Sequence, residues 1–551
     1  ESHRARLEMP FKVRFEDSTL REFFLRAAAS LVAGSSRRTV SMGRGEDGAE
    51  AISSCPPHTL PSTRWDAMSP TGFDSHKLSV APMLDCTDSH FRRLCRLMSS
   101  KVHLWTEMVN QDAVLYAHKT RPDLLHHGDE EHPMTCQLGG ADPTRLALAS
   151  EICIDEYGYN EVNLNCGCPS AKVVGKHEQD KRFGASLMTQ PEHVGECLRR
   201  MKEAVGGVPV TLKHRLGVRF GSREKYDEDA ECDSYSFVSS FVDTVSSLSG
   251  CEHFVVHARC AVLGGLSTTA NRNIPPLRHQ EVHQLADDFP HLSFSLNGGI
   301  ESIDEAIKHL QSGKLRGVMM GRAVYKNPAI LADVDRLVYG VEKHWYERMQ
   351  GEKEVVAKWP KDGWREHEKF GRRSFFQIDE SHEETTSSMG SGTTSSIGNG
   401  TTSSAGINPP CITRRDVLRR FALYGDAVLR DKLDELRKHP RALGEARGLA
   451  KALSGMSHGV CAGGRFKRDL EFSLQGWSRR LLDGEDAEGL SFSELVDLCV
   501  NGLGDEGITD METPMCEMLE SEKRKAKSFA KAREILCDGN GENWCKGSRE
   551  D

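Results

Sequence analysis

Two cysteines separated by one residue, Cys166 and Cys168, follow a β-rich run in the segment VNLNCGCPSAKVVGKHEQDKRFGAS (162–186). Such a pair could bind a metal, form a disulfide, pack in a core or take part in catalysis. The spacing is tighter than that of the usual zinc-binding pairs, and no His/Cys cluster lies nearby in the sequence. The 17 cysteines of the chain are scattered and include no CxxC pair, which favours a reduced, intracellular protein. We therefore predict no metal site.

Polar side chains also stand at the ends of other β-rich runs. Lys213 lies in the middle of a β-rich run, so its ammonium group must point into a cavity or be paired. A single histidine such as His257 is more often a structural residue than a ligand. The set as a whole is more informative than any one member, and it includes Gln137, Asn165, Lys213, Arg215, His257, Arg259, Asn297 and Arg322.

Glycines follow the last two of these runs. Gly298, Gly299 and Gly321 would let backbone N–H groups approach a phosphate, and Arg322 would add a charged partner for it. Turn glycines beside a surface arginine are the alternative interpretation. If the runs form a barrel, these positions coincide with the place where such barrels commonly bind phosphate.

The elements that would position these residues form a regular series. Amphipathic segments with helical periodicity separate the β-rich runs, and only the second crossover, around QDAVLYAH, is short and irregular. Eight strand–helix units in about 260 residues are typical of a (β/α)8 barrel. A doubly wound open sheet is the alternative, but no GxGxxG follows the first run. The eight runs are 78–84, 103–109, 133–139, 161–167, 209–215, 253–259, 292–299 and 317–323.

Composition divides the chain into five regions. Residues 1–75 are predicted to be a disordered extension, and their Ala, Ser and Arg content fits a possible transit peptide. The barrel is assigned to 76–340 and a low-complexity linker to 341–410. A small all-α domain is expected over 411–483, and a mostly acidic, disordered tail over 484–551.

Charge is distributed unevenly between these regions. The whole chain carries a net charge of -9, whereas residues 412–483 hold 16 Lys and Arg against 9 Asp and Glu. A basic helical domain inside an acidic chain can still bind nucleic acid. No apolar run approaches the roughly 18 residues of a membrane span, so we expect no membrane partner.

Nine strings, in this order, resemble the tRNA-dihydrouridine synthases, specifically their A-type branch. The match covers roughly 78–335, and 412–483 more faintly resembles the small helical domain of that family. The strings are SVAPMLDCTDSHFRRL (79–94), TEMV (106–109), QLGGADP (137–143), EVNLNCGCPSAKV (161–173), RFGASLM (182–188), VTLKHRLGV (210–218), VVHARCAVLGGLSTTANRNIPPLR (255–278), NGGI (297–300) and GVMMGRAVYKNP (317–328).

The resemblance implies a flavin-dependent (β/α)8 barrel that reduces the C5–C6 double bond of D-loop uridines in tRNA. It implies tightly bound FMN, with NADPH as the reductant. Cys168 takes the place of the family's general acid. The implied FMN contacts are Ala81, Pro82, Met83, Gln137, Lys213, His257, Asn297, Gly298, Gly299, Gly321 and Arg322. The implied substrate contacts are Asn165, Lys213, Arg259, Thr269 and Arg272.

The residue types suit this chemistry. After hydride addition at C6, C5 must be protonated. A thiol with a pKa of about 8.5 is still a proton donor at neutral pH. The uridine would have to leave its stack, and the basic domain would hold the phosphate backbone. The chain departs from the family at Cys86, which replaces a Trp, at Ser186, which replaces a Cys, and in a longer segment between Pro169 and Phe183.

The predicted function is therefore reduction of uridine 20, and of 20a as a second position, by a protein for which we favour a monomer. Its compartment would be the cytoplasm, or a mitochondrion or plastid if the extension is a transit peptide. Two alternatives stay open from the sequence. One is an FMN barrel that reduces a free pyrimidine or a quinone, and the other is a non-catalytic RNA-binding barrel.

Overall fold

The computed structural model describes residues 75–170, 183–220, 231–341, 412–436, 443–482, 491–515, 517–519 and 521. Three sequence predictions fall outside these residues. They are the transit peptide, most of the low-complexity linker, and the lengthened part of the segment after Cys168, 171–182.

Eight parallel strands form the barrel, and a second, smaller sheet holds two more. The barrel order is β1-β10-β9-β7-β5-β4-β3-β2, and a bridge between Ser79 and His103 closes the ring. Each of the eight predicted runs overlaps one barrel strand, so the predicted (β/α)8 fold is confirmed. The strands are β1 (Leu78–Val80), β2 (Leu104–Asn110), β3 (Met134–Gly139), β4 (Glu161–Cys166), β5 (Val210–Arg215), β6 (Val218–Phe220), β7 (His253–His257), β8 (Ala261–Leu263), β9 (Ser293–Asn297) and β10 (Gly317–Met320).

Helices cover the outside of the barrel and then continue as a separate bundle. The barrel helices are α1 (Ser89–Arg96), α2 (Gln111–Ala117), α3 (Pro143–Asp155), α4 (Pro191–Ala204), α5 (Tyr235–Ser249), α6 (His279–Asp288), α7 (Ile303–Leu310), α8 (Arg322–Lys326) and α9 (Val334–Leu337). The bundle helices are α10 (Arg414–Leu436), α11 (Leu443–Leu453), α12 (Gly463–Leu482), α13 (Phe492–Asn501) and α14 (Gly504–Glu512).

Strand β4 shows how the sequence builds both faces of the barrel wall. All six of its residues are buried. Val162, Leu164 and Cys166 belong to the main hydrophobic cluster. Because side chains alternate along a strand, Glu161, Asn163 and Asn165 point to the other face, into the barrel interior. Cys166 is thus a core residue, which agrees with packing, one of the four roles considered for the cysteine pair.

The pair β6–β8 was not predicted. These two strands of three residues run parallel, with Val218 opposite Ala261, just after the barrel strands β5 and β7. Arg219 and Asp233 form a buried ion pair beside them, with 2.5 Å between Nε and Oδ2. The small sheet therefore extends the wall on the side of the barrel where strands β5 and β7 end.

The helical bundle begins with α10. The backbone N–H of Asp416 donates to Thr413 Oγ1 at 3.1 Å, so Thr413 caps helix α10. The predicted end of this domain at 483 is too early. Helices α13 and α14 lie in the stretch expected to be a disordered tail, and they pack against α10. Ser491 and Glu494 form a capping box at the start of α13.

The bundle packs directly on the barrel. Helix α11 lies against α1, and His90 Nε2 is 3.0 Å from Glu445 Oε2 across this contact. A Cβ at Gly455 would lie 2.5 Å from Pro328, so the two parts of the chain approach closely there as well. Within the described residues, each helix is either too short or too polar to cross a bilayer.

Candidate active site

A cleft of about 1470 Å³ contains the carboxyl ends of the barrel strands. Nearly all residues that the sequence proposed for a site line this cleft. They are Ala81, Pro82, Met83, Gln137, Asn165, Cys168, Lys213, His257, Arg272, Asn297, Gly298, Gly299, Gly321 and Arg322. Residues separated by more than two hundred positions in the chain are thus brought together, as expected for strand ends of one barrel.

Two proposed substrate residues do not line the cleft. Arg259 is buried, and its Nη1 donates to the backbone oxygens of Asn273, at 3.3 Å, and Pro275. Thr269 is exposed, and its hydroxyl accepts a hydrogen bond from Arg272 Nη2 at 3.2 Å. In this structure Arg259 supports a loop, and Thr269 accepts a hydrogen bond from Arg272, which does line the cleft.

Cys168 begins the loop that follows β4, and the strand itself holds it in place. Asn165 Oδ1 accepts the backbone N–H of Gly167 at 3.0 Å and that of Cys168 at 2.9 Å. The carbonyl of Cys168 in turn accepts the N–H of Ala185 at 2.9 Å. Both peptide groups of this residue are therefore engaged, while its side chain lines the cleft.

The Cys168 thiol is protonated at neutral pH. Burial raises its pKa, and this effect outweighs a hydrogen bond from the backbone of Ser170 and the charges of Arg215, Arg272 and Lys213, which lower it. A protonated thiol in a cleft can act as a general acid. The same three cations would stabilise the thiolate that remains once the proton has been transferred.

Lys213 and His257 line the cleft with altered charge states. Burial, followed by the charge of Arg215, lowers the pKa of Lys213 to about 7. Burial, Arg215 and Lys213 together hold the pKa of His257 well below its usual range, so its imidazole is neutral. An anion bound in the cleft would favour the charged form of Lys213.

Two glycines with positive φ angles form a bare section of the cleft wall. Gly298 has φ 111° and Gly299 has φ 75°. A Cβ at Gly298 would lie 2.6 Å from His257 Cδ2, and a Cβ at Gly299 would lie 2.3 Å from Leu277 Cδ1. Only glycine fits both the backbone conformation and the space. Exposed Arg322 also lines the cleft, so a phosphate group would find both backbone and a cation here.

Arg215 lines the cleft and was given no role from the sequence. It is buried, and its Nε donates to the Gly167 carbonyl at 2.9 Å. Its Nη1 donates to the carbonyls of Cys260 at 2.9 Å and Asn271 at 3.1 Å. Arg215 thus ties the Cys168 loop to the segments that follow β7. An arginine at the end of an apolar strand was the available sequence signal.

One group of described residues has the donor atoms of a metal site, but it lies outside the cleft lining. His76, Glu161 and His253 place one donor atom each within 4.8 Å of one another. His76 precedes β1, and Glu161 and His253 begin β4 and β7, so the group sits at the amino ends of the strands. Both Glu161 oxygens are already occupied, by Thr211 at 2.7 Å and His76 at 2.9 Å.

Comparison with known proteins gives a consistent result. The family model described as "Dihydrouridine synthase (Dus)" matches residues 79–369. The tRNA-dihydrouridine(20/20a) synthase of Shewanella oneidensis is 48% identical over 265 residues, which cover 48% of this chain and 72% of that protein. The protein of the same name from Salmonella typhimurium is 45% identical over 268 residues, covering 49% and 74%. That of Vibrio parahaemolyticus is 46% identical over 266 residues, covering 48% and 74%.

Proposed function

The chain belongs to the dihydrouridine synthase family, and we propose on this premise that it reduces uridines of the tRNA D-loop to 5,6-dihydrouridine. Positions 20 and 20a are the proposed targets, because the similar bacterial proteins carry these positions in their name. The observation that carries the proposal is the position of Cys168 in a cleft at the strand ends, where Asn165 binds its backbone N–H group.

The cleft fits a flavin mononucleotide. The glycine pair 298–299 and Arg322 would take the phosphate, because bare backbone and a guanidinium group suit that anion. Ala81, Pro82 and Met83 would line the ring system on one side, and Gln137, Lys213 and His257 would contact its polar edge and the ribityl chain. When bound and reduced by NADPH, FMN supplies the hydride that adds to C6 of uracil.

The residues of the chain carry the accompanying proton. Cys168 donates its thiol proton to C5 of the uracil, and Asn165 fixes the backbone from which the thiol projects. Arg215, Arg272 and Lys213 stabilise the resulting thiolate, because each of their charges lowers the pKa of this group. The thiolate then regains a proton from solvent. General acid catalysis of this kind contributes about 10²–10⁴-fold to a rate.

Transfer RNA is the proposed macromolecular substrate. Exposed basic residues of the bundle, among them Lys467, Arg468 and Arg479 on α12, would contact its phosphates. The target uridine would leave its stack to enter the cleft, because its C5 and C6 atoms are shielded within a stacked loop. We place the protein inside the cell, because its proposed substrate is found there, and we favour a monomer, as expected from the sequence.

One reconstitution experiment tests this function. The full chain is purified, saturated with FMN and incubated with NADPH and an unmodified tRNA transcript, and dihydrouridine is mapped by mass spectrometry. We expect flavin absorbance on the protein and dihydrouridine at position 20 or 20a. A protein that binds no FMN, or that consumes NADPH with free uracil or a quinone but not with tRNA, would overturn the proposal in favour of another reductase.

A further inference from the structure

Five polar side chains from β3, β4 and β5 are joined end to end by hydrogen bonds inside the barrel. Asn165 Nδ2 donates to Gln137 Oε1 at 2.8 Å, and Gln137 Nε2 donates to Asn163 Oδ1 at 2.9 Å. Asn163 Nδ2 donates to Thr211 Oγ1 at 2.9 Å, and the Thr211 hydroxyl donates to Glu161 Oε1 at 2.7 Å. We call these five side chains the amide relay.

The two ends of the amide relay determine the direction of every bond in it. At one end, Asn165 Oδ1 accepts the backbone N–H groups of Gly167 and Cys168, which can only donate. At the other end, an ionised Glu161 can only accept. The groups between them both donate and accept, so one arrangement satisfies the whole chain. Every amide turns its oxygen toward Cys168 and its nitrogen toward Glu161.

Glu161 is ionised in the folded protein. Burial raises the pKa of its carboxyl group, but the charge of His76 and the hydrogen bonds from His76 and Thr211 lower it further, so that the net pKa lies below the ordinary value. His76 Nε2 lies 2.9 Å from Glu161 Oε2, which leaves Oε1 to accept from Thr211. The acceptor end of the amide relay is therefore fixed by the contact between His76 and Glu161 at the base of the barrel.

Burial makes the amide relay difficult to rearrange. The exposed fraction of its members runs from 0% at Asn163 to 9% at Asn165. Water has little access to replace a broken bond, and an unsatisfied buried polar group is destabilising. A break at one link is thus transmitted to its neighbours, which must turn to find other partners.

We propose that Thr211, Asn163 and Glu161 are positioning residues that act through the amide relay on the loop bearing Cys168. They hold Asn165 with its oxygen toward the loop, and they hold Gln137 with a set orientation at the cleft. The effect on the loop follows from the hydrogen bonds alone. The consequence for catalysis rests on the proposed function.

The test measures the reactivity of Cys168 with iodoacetamide as a function of pH, using the full-length protein and peptide mass mapping to separate this cysteine from the others. Thr211→Val removes one hydroxyl from the amide relay with little change of shape. We expect the loop to be held less firmly and the thiol to be less buried. Its alkylation profile should then move to lower pH, with a rate at pH 7 about two- to tenfold higher, as for the loss of one net hydrogen bond.

The matched control is Thr135→Val. Thr135 is also fully buried, and its Oγ1 lies 2.7 Å from His103 Nε2, outside the amide relay. This variant should lose a similar amount of thermal stability but keep the wild-type Cys168 profile. Thr211→Ser, which retains the hydroxyl, should restore that profile. If Thr211→Val does not fold, Asn163→Leu takes its place in the same comparison. This nearly isosteric substitution removes the next member of the amide relay.

Equal profiles for the two valine variants, or a wild-type profile for Thr211→Val, would show that the amide relay does not position the loop. A second measurement connects the amide relay to catalysis. Thr211→Val should lower kcat for dihydrouridine formation and leave KM for tRNA unchanged. If the wild-type protein forms no dihydrouridine, the proposed function fails while the alkylation comparison still decides the relay, so the two failures are distinguishable.

Discussion

Lys213 on β5 donates a hydrogen bond to Asn297 on β9, with 3.0 Å between Nζ and Oδ1, although β7 lies between these two strands. The two side chains meet inside the barrel mouth. Asn297 Nδ2 donates to the Met319 carbonyl at 2.8 Å, so its oxygen is free to face the lysine. The partner that Lys213 finds here is thus a neutral amide, which does little to offset the burial of its charge.

The stability of the ligand-free protein should therefore depend on the charge of Lys213. Burial lowers its pKa in the folded state to about 7, whereas the pKa of a solvent-exposed lysine is 10.5. Between these values the unfolded state holds a proton that the folded state has lost, so the free energy of unfolding rises with pH. The slope from this group is at most about 1.4 kcal/mol per pH unit, and less because part of the side chain faces the cleft. Below pH 7 both states are protonated and the destabilisation is complete.

Urea unfolding of the wild type and of Lys213→Met between pH 6.5 and 9.5 measures this contribution. The variant should be more stable than the wild type at the acid end of the range and should lose the upward slope. Parallel curves for the two proteins would show that Lys213 does not titrate in this range.

Loss of the Cys168 thiol should impair proton transfer to the uracil but should not affect FMN binding. Cys168→Ala is expected to lower the rate of dihydrouridine formation by about 10²–10⁴-fold, the usual contribution of a general acid, while FMN binding stays near the wild-type level. Mass spectrometry of the tRNA and the visible spectrum of the protein give the two quantities. Cys166→Ala is the control, since this cysteine is buried in the core and should be dispensable for the reaction. Comparable rates for the two variants would exclude Cys168 as the acid.

The glycine pair should be intolerant of a side chain in a way that other glycines with positive φ are not. Gly298→Ala would place a Cβ 2.6 Å from His257 Cδ2, and we expect FMN affinity to fall at least about tenfold, as for a loss of roughly 1.4 kcal/mol. Gly313→Ala is the matched control, because Gly313 has φ 69° and open space around its Cβ position. Titration of flavin fluorescence measures both. Equal FMN affinity in the two variants would contradict the proposal that the glycine pair binds the FMN phosphate.

Helix α12 should contribute to tRNA affinity through charge. Lys467→Ala and Arg468→Ala are each expected to weaken binding and to reduce the slope of log affinity against log salt by about 1, as for the loss of one phosphate contact. Fluorescence anisotropy at several salt concentrations measures the slope. Lys308→Ala, which removes an exposed lysine of the barrel helix α7, is the control and should leave the slope unchanged. An identical slope in all three variants would place the tRNA elsewhere.

The barrel strands were predictable because each is a run of buried residues bounded by polar segments, as β3 and β4 illustrate. The pair β6–β8 was not, because three residues such as Val218–Phe220 carry no periodicity. Helix α13 was missed for a different reason. Its acidic surroundings suggested a tail, although Phe492, Leu495, Val496 and Cys499 follow helical spacing after the capping serine Ser491.

The cleft residues were predictable only as a set, and the side chains that hold them in position were not predictable from the sequence. Arg259 looked like a strand-end residue aimed at a ligand, but it donates to backbone carbonyls of a loop. Asn163 and Thr211 looked like ordinary members of alternating strands. Their connection to Glu161 depends on the register between β4 and β5, in which Asn163 lies opposite Thr211, and a single sequence does not reveal which residues pair across strands.

The contact between α1 and the helical bundle has a consequence for synthesis on the ribosome. His90 meets Tyr424 and Glu445, which lie 334 and 355 positions later in the chain. Chains are synthesised at roughly 5–20 residues per second, so the residues that cover the first barrel helix are made about 20–70 s after it. During that interval its outer surface is open to other proteins, and a nascent barrel would offer it to a chaperone before the chain can cover it itself.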